Sequence, residues 1–167
     1  MSSAAGDLRK APSVNDATDR LTNDDAITEI LAEWRQRLRS AADMAPARQG
    51  ARGHRERSLT RALLSAAVSE NTPQASESLD TLAMIAALYG ANQPRERLDP
   101  GALCEEFTHL RQAVWQFLKG TRLEADVATK RILAFDRALS LAMRAAISGG
   151  YQCAADSSSL DVGASTT

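Results

Sequence analysis

Chemistry near neutral pH falls first to the histidines, and this chain has two, His54 and His109. A hydrolytic nucleophile needs such a base at hand. The chain has no Gly-x-Ser-x-Gly elbow and no cysteine beside a plausible partner. Cys104 and Cys153 are half a metal site at most and no disulfide framework, which leaves them as reduced, incidental thiols. No phosphate-cradling glycine loop, dinucleotide fingerprint or zinc-spaced Cys/His pair occurs. Glu105 and Glu106 precede His109 by four and three positions. Adjacent residues of a helix point about 100° apart, and a carboxylate di-iron centre needs its Glu-x-x-His repeated on a facing helix, where this chain has no second copy. The residues therefore predict no metal, no cofactor and no enzyme.

His109 has one sharper reading, as the acceptor of a histidine-phosphotransfer protein. Phe107-Thr108-His109 resembles the opening of a kinase H-box, but Leu110 stands where an acid would follow and no later Thr-Pro occurs. The phosphotransfer pattern His-x-x-Lys-Gly is missing as well, so a solvated histidine is the favoured role. The arginines Arg48, Arg52, Arg55, Arg57 and Arg61 around His54 form a basic loop able to grip phosphates by counterion release. Without a stacking platform or recognition helix, docking on an acidic partner is at least as good a role. Trp34, Tyr89 and Trp115 are candidates for an interaction or ligand surface, with core or subunit-interface packing the simpler use of large rings.

The elements that position these residues follow from composition. Of 167 residues, 44% are hydrophobic and only 4% aromatic, which disfavours sandwiches and barrels and favours helices. A formal charge of -1 supplies no global field for DNA, RNA or an anionic membrane, so nucleic acid is an unlikely partner. The N-terminus lacks a basic region followed by an apolar one, and no apolar run approaches the roughly 20 residues of a membrane span. A cytoplasmic location with no membrane contact is expected.

Residues 1–23 and 152–167 are polar and aperiodic and read as disordered tails flanking a domain over 24–151. Five segments between them have helical period. The first starts at Thr22-Asn23-Asp24-Asp25 and turns Ile27, Ile30, Leu31, Trp34 and Leu38 inward, with Glu33, Arg35, Arg37 and Arg39 toward water. Pro46, Gly50 and Gly53 place a loop over 45–57, and the second helix begins near Ser58 and stops before Pro73. Ser76 or Ser78 caps a third segment, whose apolar face is Leu79, Leu82, Ile85, Ala86 and Tyr89. Asp99-Pro100 starts the fourth as N-cap and N1. It carries Leu103, Phe107, Leu110, Val114 and Phe117 inward and ends on a left-handed Gly120. Thr121 and Glu124 form a capping box for the fifth, which runs to Gly149-Gly150. The prediction is an all-α, antiparallel four-helix-type bundle of four to five helices with disordered ends.

Glu106-Phe107-Thr108-His109-Leu110-Arg111 resembles the Glu-[Tyr/Phe]-x-x-Leu-Arg signature of the RsbRD N-terminal domain family, named for RsbT co-antagonist proteins. Phe135-Asp136-Arg137-Ala138-Leu139 is similar to the family's later apolar-Asp stretch, and the likeness extends from about Ile27 to Tyr151. The resemblance implies a helical input or sensory module of bacterial signalling. Its partner would be a kinase or stress-response regulator, or a second copy in a homodimer, and Glu106, Phe107, Leu110, Arg111 and Asp136 would be its motif residues. The chain departs from the family at Tyr89-Gly90-Ala91-Asn92-Gln93, where members commonly carry a histidine-containing segment, and no output domain is expected in the residues after Gly150. Five positions apart on a helix, Glu106 and Arg111 do not pair with each other and should bridge to neighbouring helices.

Overall fold

The computed structural model describes residues 22–41, 49–93, 99–121 and 123–163. Most of the segment expected to form the N-terminal tail, and Arg48, lie outside them. The described residues form five helices and no strand: α1 (Asp24–Ala41), α2 (Gln49–Ser69), α3 (Ala75–Ala91), α4 (Pro100–Gly120) and α5 (Ala125–Gly163). They make a helical bundle in which α5 packs on α2, α3 and α4, α1 packs on α2 and α4, and α2 packs on α3. None of them is long and apolar enough to cross a membrane.

The starts of α1 and α4 follow from capping. Asn23 accepts the Ala26 amide at 2.7 Å, and Asp99 accepts the amides of Gly101 and Ala102, each at 3.2 Å, with Pro100 in the first turn. Apolar periodicity then fills the core. Ile27, Ile30 and Trp34 from α1, Leu59 and Leu63 from α2, Leu82 from α3, Phe107 and Leu110 from α4 and Phe135 from α5 are all buried in one cluster.

Several boundaries differ from the sequence reading. The expected basic loop is helical from Gln49, through Gly50 and Gly53. Tertiary contacts outweigh the weak propensity of two glycines: Glu56 is buried and takes the Arg35 Nε at 2.8 Å, while Arg57 and Arg61 both reach back to Asp24. These pairs run α1 and α2 antiparallel. They also correct the picture of Arg35 as merely solvated.

Helix α3 starts one residue before Ser76, after Gln74, which makes no side-chain cap. Leu79, expected inside, is 37% exposed: it stands at the N-terminal end of the stripe that Leu82, Ala86 and Tyr89 continue into the core. Helix α4 ends without a left-handed Gly120. Thr121, extended at φ -80, closes it by sending its amide to the carbonyls of Phe117 and Leu118. The Thr121 hydroxyl also donates to Leu118 O at 2.6 Å, so this side chain terminates α4 rather than capping α5.

The largest departure is at Gly149-Gly150, read as the end of the last helix. Helix α5 continues to Gly163, through most of the expected C-terminal tail. The reason is the neighbour: a Cβ on Gly149 would lie 2.2 Å from the Ala87 carbonyl oxygen, and one on Gly90 would lie 1.8 Å from that of Ala146. The glycines let the backbones of α3 and α5 meet, and the two contacts fix an antiparallel register.

Candidate functional site

Arg111 and Asp136, on facing turns of α4 and α5, form a two-pronged pair with Nε at 2.8 Å and Nη2 at 2.5 Å from the two carboxylate oxygens. The fork matches a carboxylate in geometry as well as charge. The guanidinium also stacks over Trp115, 4.5 Å from the ring centroid. The Asp136 hydrogen bond raises the Arg111 pKa above its ordinary value, against the opposing effect of burial. A raised pKa on a base stabilises the fold below the unfolded value and stops doing so only as pH climbs through the folded one, so this contribution is constant across the neutral range. The pair is partly exposed, at 43% and 23%, and its worth is discounted accordingly. Arg111 thus bridges to a neighbouring helix, in keeping with the sequence argument.

Glu106, the other motif charge, is buried, and its backbone carbonyl accepts the indole of Trp34 at 3.0 Å. Trp34 is fully buried and lies 6.5 Å from Tyr89, whose ring meets Phe107 edge-on at 6.2 Å. Trp34 and Tyr89 are therefore core residues, and the ligand-surface role considered for them does not fit. Trp115 is half-buried, and its Nε1 has no hydrogen-bond partner among the described residues. Leu110 is buried in the core.

The basic residues are largely internal braces. Arg55 donates to the Asn92 carbonyl at 3.2 Å, Arg57 to Thr28 Oγ1 at 3.0 Å, and Arg61 to Asp24 at 2.5 Å. Arg52 lies on the first turns of α2. Of Arg55, Arg57 and Arg61, the last two share the one carboxylate of Asp24.

His109 lines a shallow open groove between α1 and α4, together with Glu33, Gln36, Arg37, Ser40 and Gln112. Arg37 spans it, pairing with Glu33 at 2.7 Å and donating to Gln112 Oε1 at 3.1 Å. Sequence reasoning placed Arg37 in solvent. Only the packing of α1 on α4 brings it near His109.

A second feature escaped the sequence reading altogether. Met84 and Leu88, one turn apart on α3, are 59% and 56% exposed. The register fixed by Gly90 and Gly149 sets the part of α3 that carries them beside the stretch of α5 around Gly149 to Cys153. Neither Thr81–Ala91 nor Ala145–Cys153 contains a charged residue. The signal was present in the sequence as two apolar residues outside the inward stripe of α3. Among the described residues, no group of three or more His, Cys, Asp or Glu side chains is placed to hold a metal ion.

Set against family models, characterised proteins and solved structures, the chain has no match.

Proposed function

We propose that this protein is a non-enzymatic signalling module that works by binding another protein through the uncharged face of α3 and α5. The observation that carries the reading is the exposure of Met84 and Leu88 on that face. Charged side chains elsewhere are used to brace helix against helix, at Arg35–Glu56, Arg61–Asp24 and Arg111–Asp136, and to tie α5 to the turn after α2, at Arg137–Glu70. Two large apolar side chains left in water on one helix face are what an amphipathic partner helix would cover. The resemblance of Glu106–Arg111 to the RsbRD N-terminal signature supports a kinase or stress-response regulator as that partner. Self-association is the other way to cover the same face.

A photocrosslinking side chain at position 88, set beside one at exposed Lys130, tests this directly. Crosslinks to a signalling protein, or to a second copy of the chain, should concentrate at position 88. They should disappear when Met84→Glu is added with the melting midpoint unchanged. Equal crosslinking at both positions, or a strict monomer with none at position 88, overturns the reading.

A further inference from the structure

Helices α3 and α5 share a stretch of sequence. Leu82-Ala83-Met84-Ile85-Ala86-Ala87-Leu88-Tyr89-Gly90 recurs 59 positions on as Leu141-Ala142-Met143-Arg144-Ala145-Ala146-Ile147-Ser148-Gly149, with the first leucine, the methionine, the glycine and three alanines kept in place. The two copies also meet each other reciprocally. Gly90 lies against the Ala146 carbonyl and Gly149 against that of Ala87, and the same offset carries Ala87 to Ala146 and Gly90 to Gly149. An antiparallel pair with reciprocal contacts has a local twofold axis, so what one copy presents on a given side of the pair the other presents as well.

The copies differ in what covers them. On α5, Asp136 holds Arg111 of α4, and Met143 and Ile147 follow it on the same helical stripe, half-buried against the core. The offset places Glu77, Met84 and Leu88 of α3 at the corresponding positions, an acid again followed by methionine and a branched aliphatic residue. All three are exposed, and Glu77 joins no ion pair among the described residues. The stripe that seats α4 on α5 is thus repeated on α3, where it stands open.

We infer that a partner protein docks here by an amphipathic helix running antiparallel to α3, as α4 runs on α5, with apolar side chains over Leu88 and Met84 and an arginine on Glu77. The inference rests on the docking reading above and states the chemistry of what docks. Along the partner helix the spacing is two apolar residues four apart and an arginine seven beyond the second, which reverses the steps from Leu88 to Met84 to Glu77. The copies part at Asp80, which stands where α5 has buried Leu139, so the end of the partner helix over Glu77 meets a second carboxylate. That is the partner's C-terminal end, where the backbone dipole also favours cations.

The probe is a fluorescein-labelled peptide of Asp99–Thr121 with Cys104→Leu, which keeps α4's arginine and puts a large apolar residue seven before it. Titrated with the full chain, its anisotropy should saturate. Glu77→Arg should weaken binding on the order of tenfold and Glu77→Gln by less, each with the melting midpoint unchanged. A peptide carrying Arg111→Glu should recover the loss on the Glu77→Arg chain. Dependence on Asp136 in place of Glu77 would mean that the peptide displaces the chain's own α4, and overturns the inference, as does the lack of saturable binding. Binding lost with Met84→Glu but indifferent to Glu77→Arg removes the arginine-bearing helix and leaves the docking face standing, whereas absence of crosslinks at position 88 removes the face itself. A dimer of the chain alone that crosslinks at position 88 and is not competed by the peptide puts a second copy on the stripe and also overturns the inference.

Discussion

Helix α5 takes part in two seams held by opposite means. Against α3, Gly149 and Ala146 meet Ala87 and Gly90 so closely that backbone touches backbone, and the stretches on either side carry no charge. Against α4, Asp136 holds the Arg111 fork at the rim, with Trp115 stacked beneath the guanidinium. The first seam gains dispersion from proximity and has no slack, since the atom in the way of any added methyl is a carbonyl oxygen. The second gains directional bonds between flexible, half-exposed side chains and can adjust. One seam therefore sets how close the helices lie, and the other sets which turn faces which.

The largest effect should come from Gly149→Ala. Its Cβ would lie 2.2 Å from the Ala87 carbonyl oxygen, so α3 and α5 must part. Overpacking of this kind costs about 3 kcal/mol, which for a chain of this size lowers the melting midpoint by roughly 10 °C. A fall under about 2 °C would show that the seam has slack after all. Arg111→Ala comes next: loss of the two-pronged pair with Asp136 should cost about 1–2 kcal/mol, or several degrees, after discounting for exposure. Unchanged stability and association would remove its bracing role. The smallest effect has the opposite sign. Gly120, at the end of α4, has open space where a Cβ would go, and Gly120→Ala should raise stability by about 0.5 kcal/mol in thermal denaturation. If Gly120→Ala and Gly149→Ala cost the same, the distinction between a cap-side glycine and a seam glycine collapses.

Helix count, the α1 and α4 caps and the inward stripes were legible because each depends on local chemistry or on a period that runs the length of an element. Leu103, Phe107, Leu110 and Val114 lie inside as their spacing requires. What local signals could not carry was the meaning of a glycine. At Gly50 and Gly53 two glycines read as a break, and long-range arginine–carboxylate pairs keep the helix intact across them. At Gly149 a glycine pair read as a stop is a contact, since its role depends on Ala87 of a helix about sixty positions earlier in the chain. Thr121 shows the same limit at short range, because a capping residue between two helices can serve either one. The groove at His109 was half legible: the histidine stood out by type, while Arg37 joins it only through the packing of α1 on α4.

Helix α5 joins the two seams as one unbroken rod, and from Asp136 to Gly149 it spans about 20 Å at helical rise. A helix without a break transmits displacement along its axis instead of absorbing it. The carboxylate that grips Arg111 and the glycine pressed on Ala87 thus move as points on a single lever.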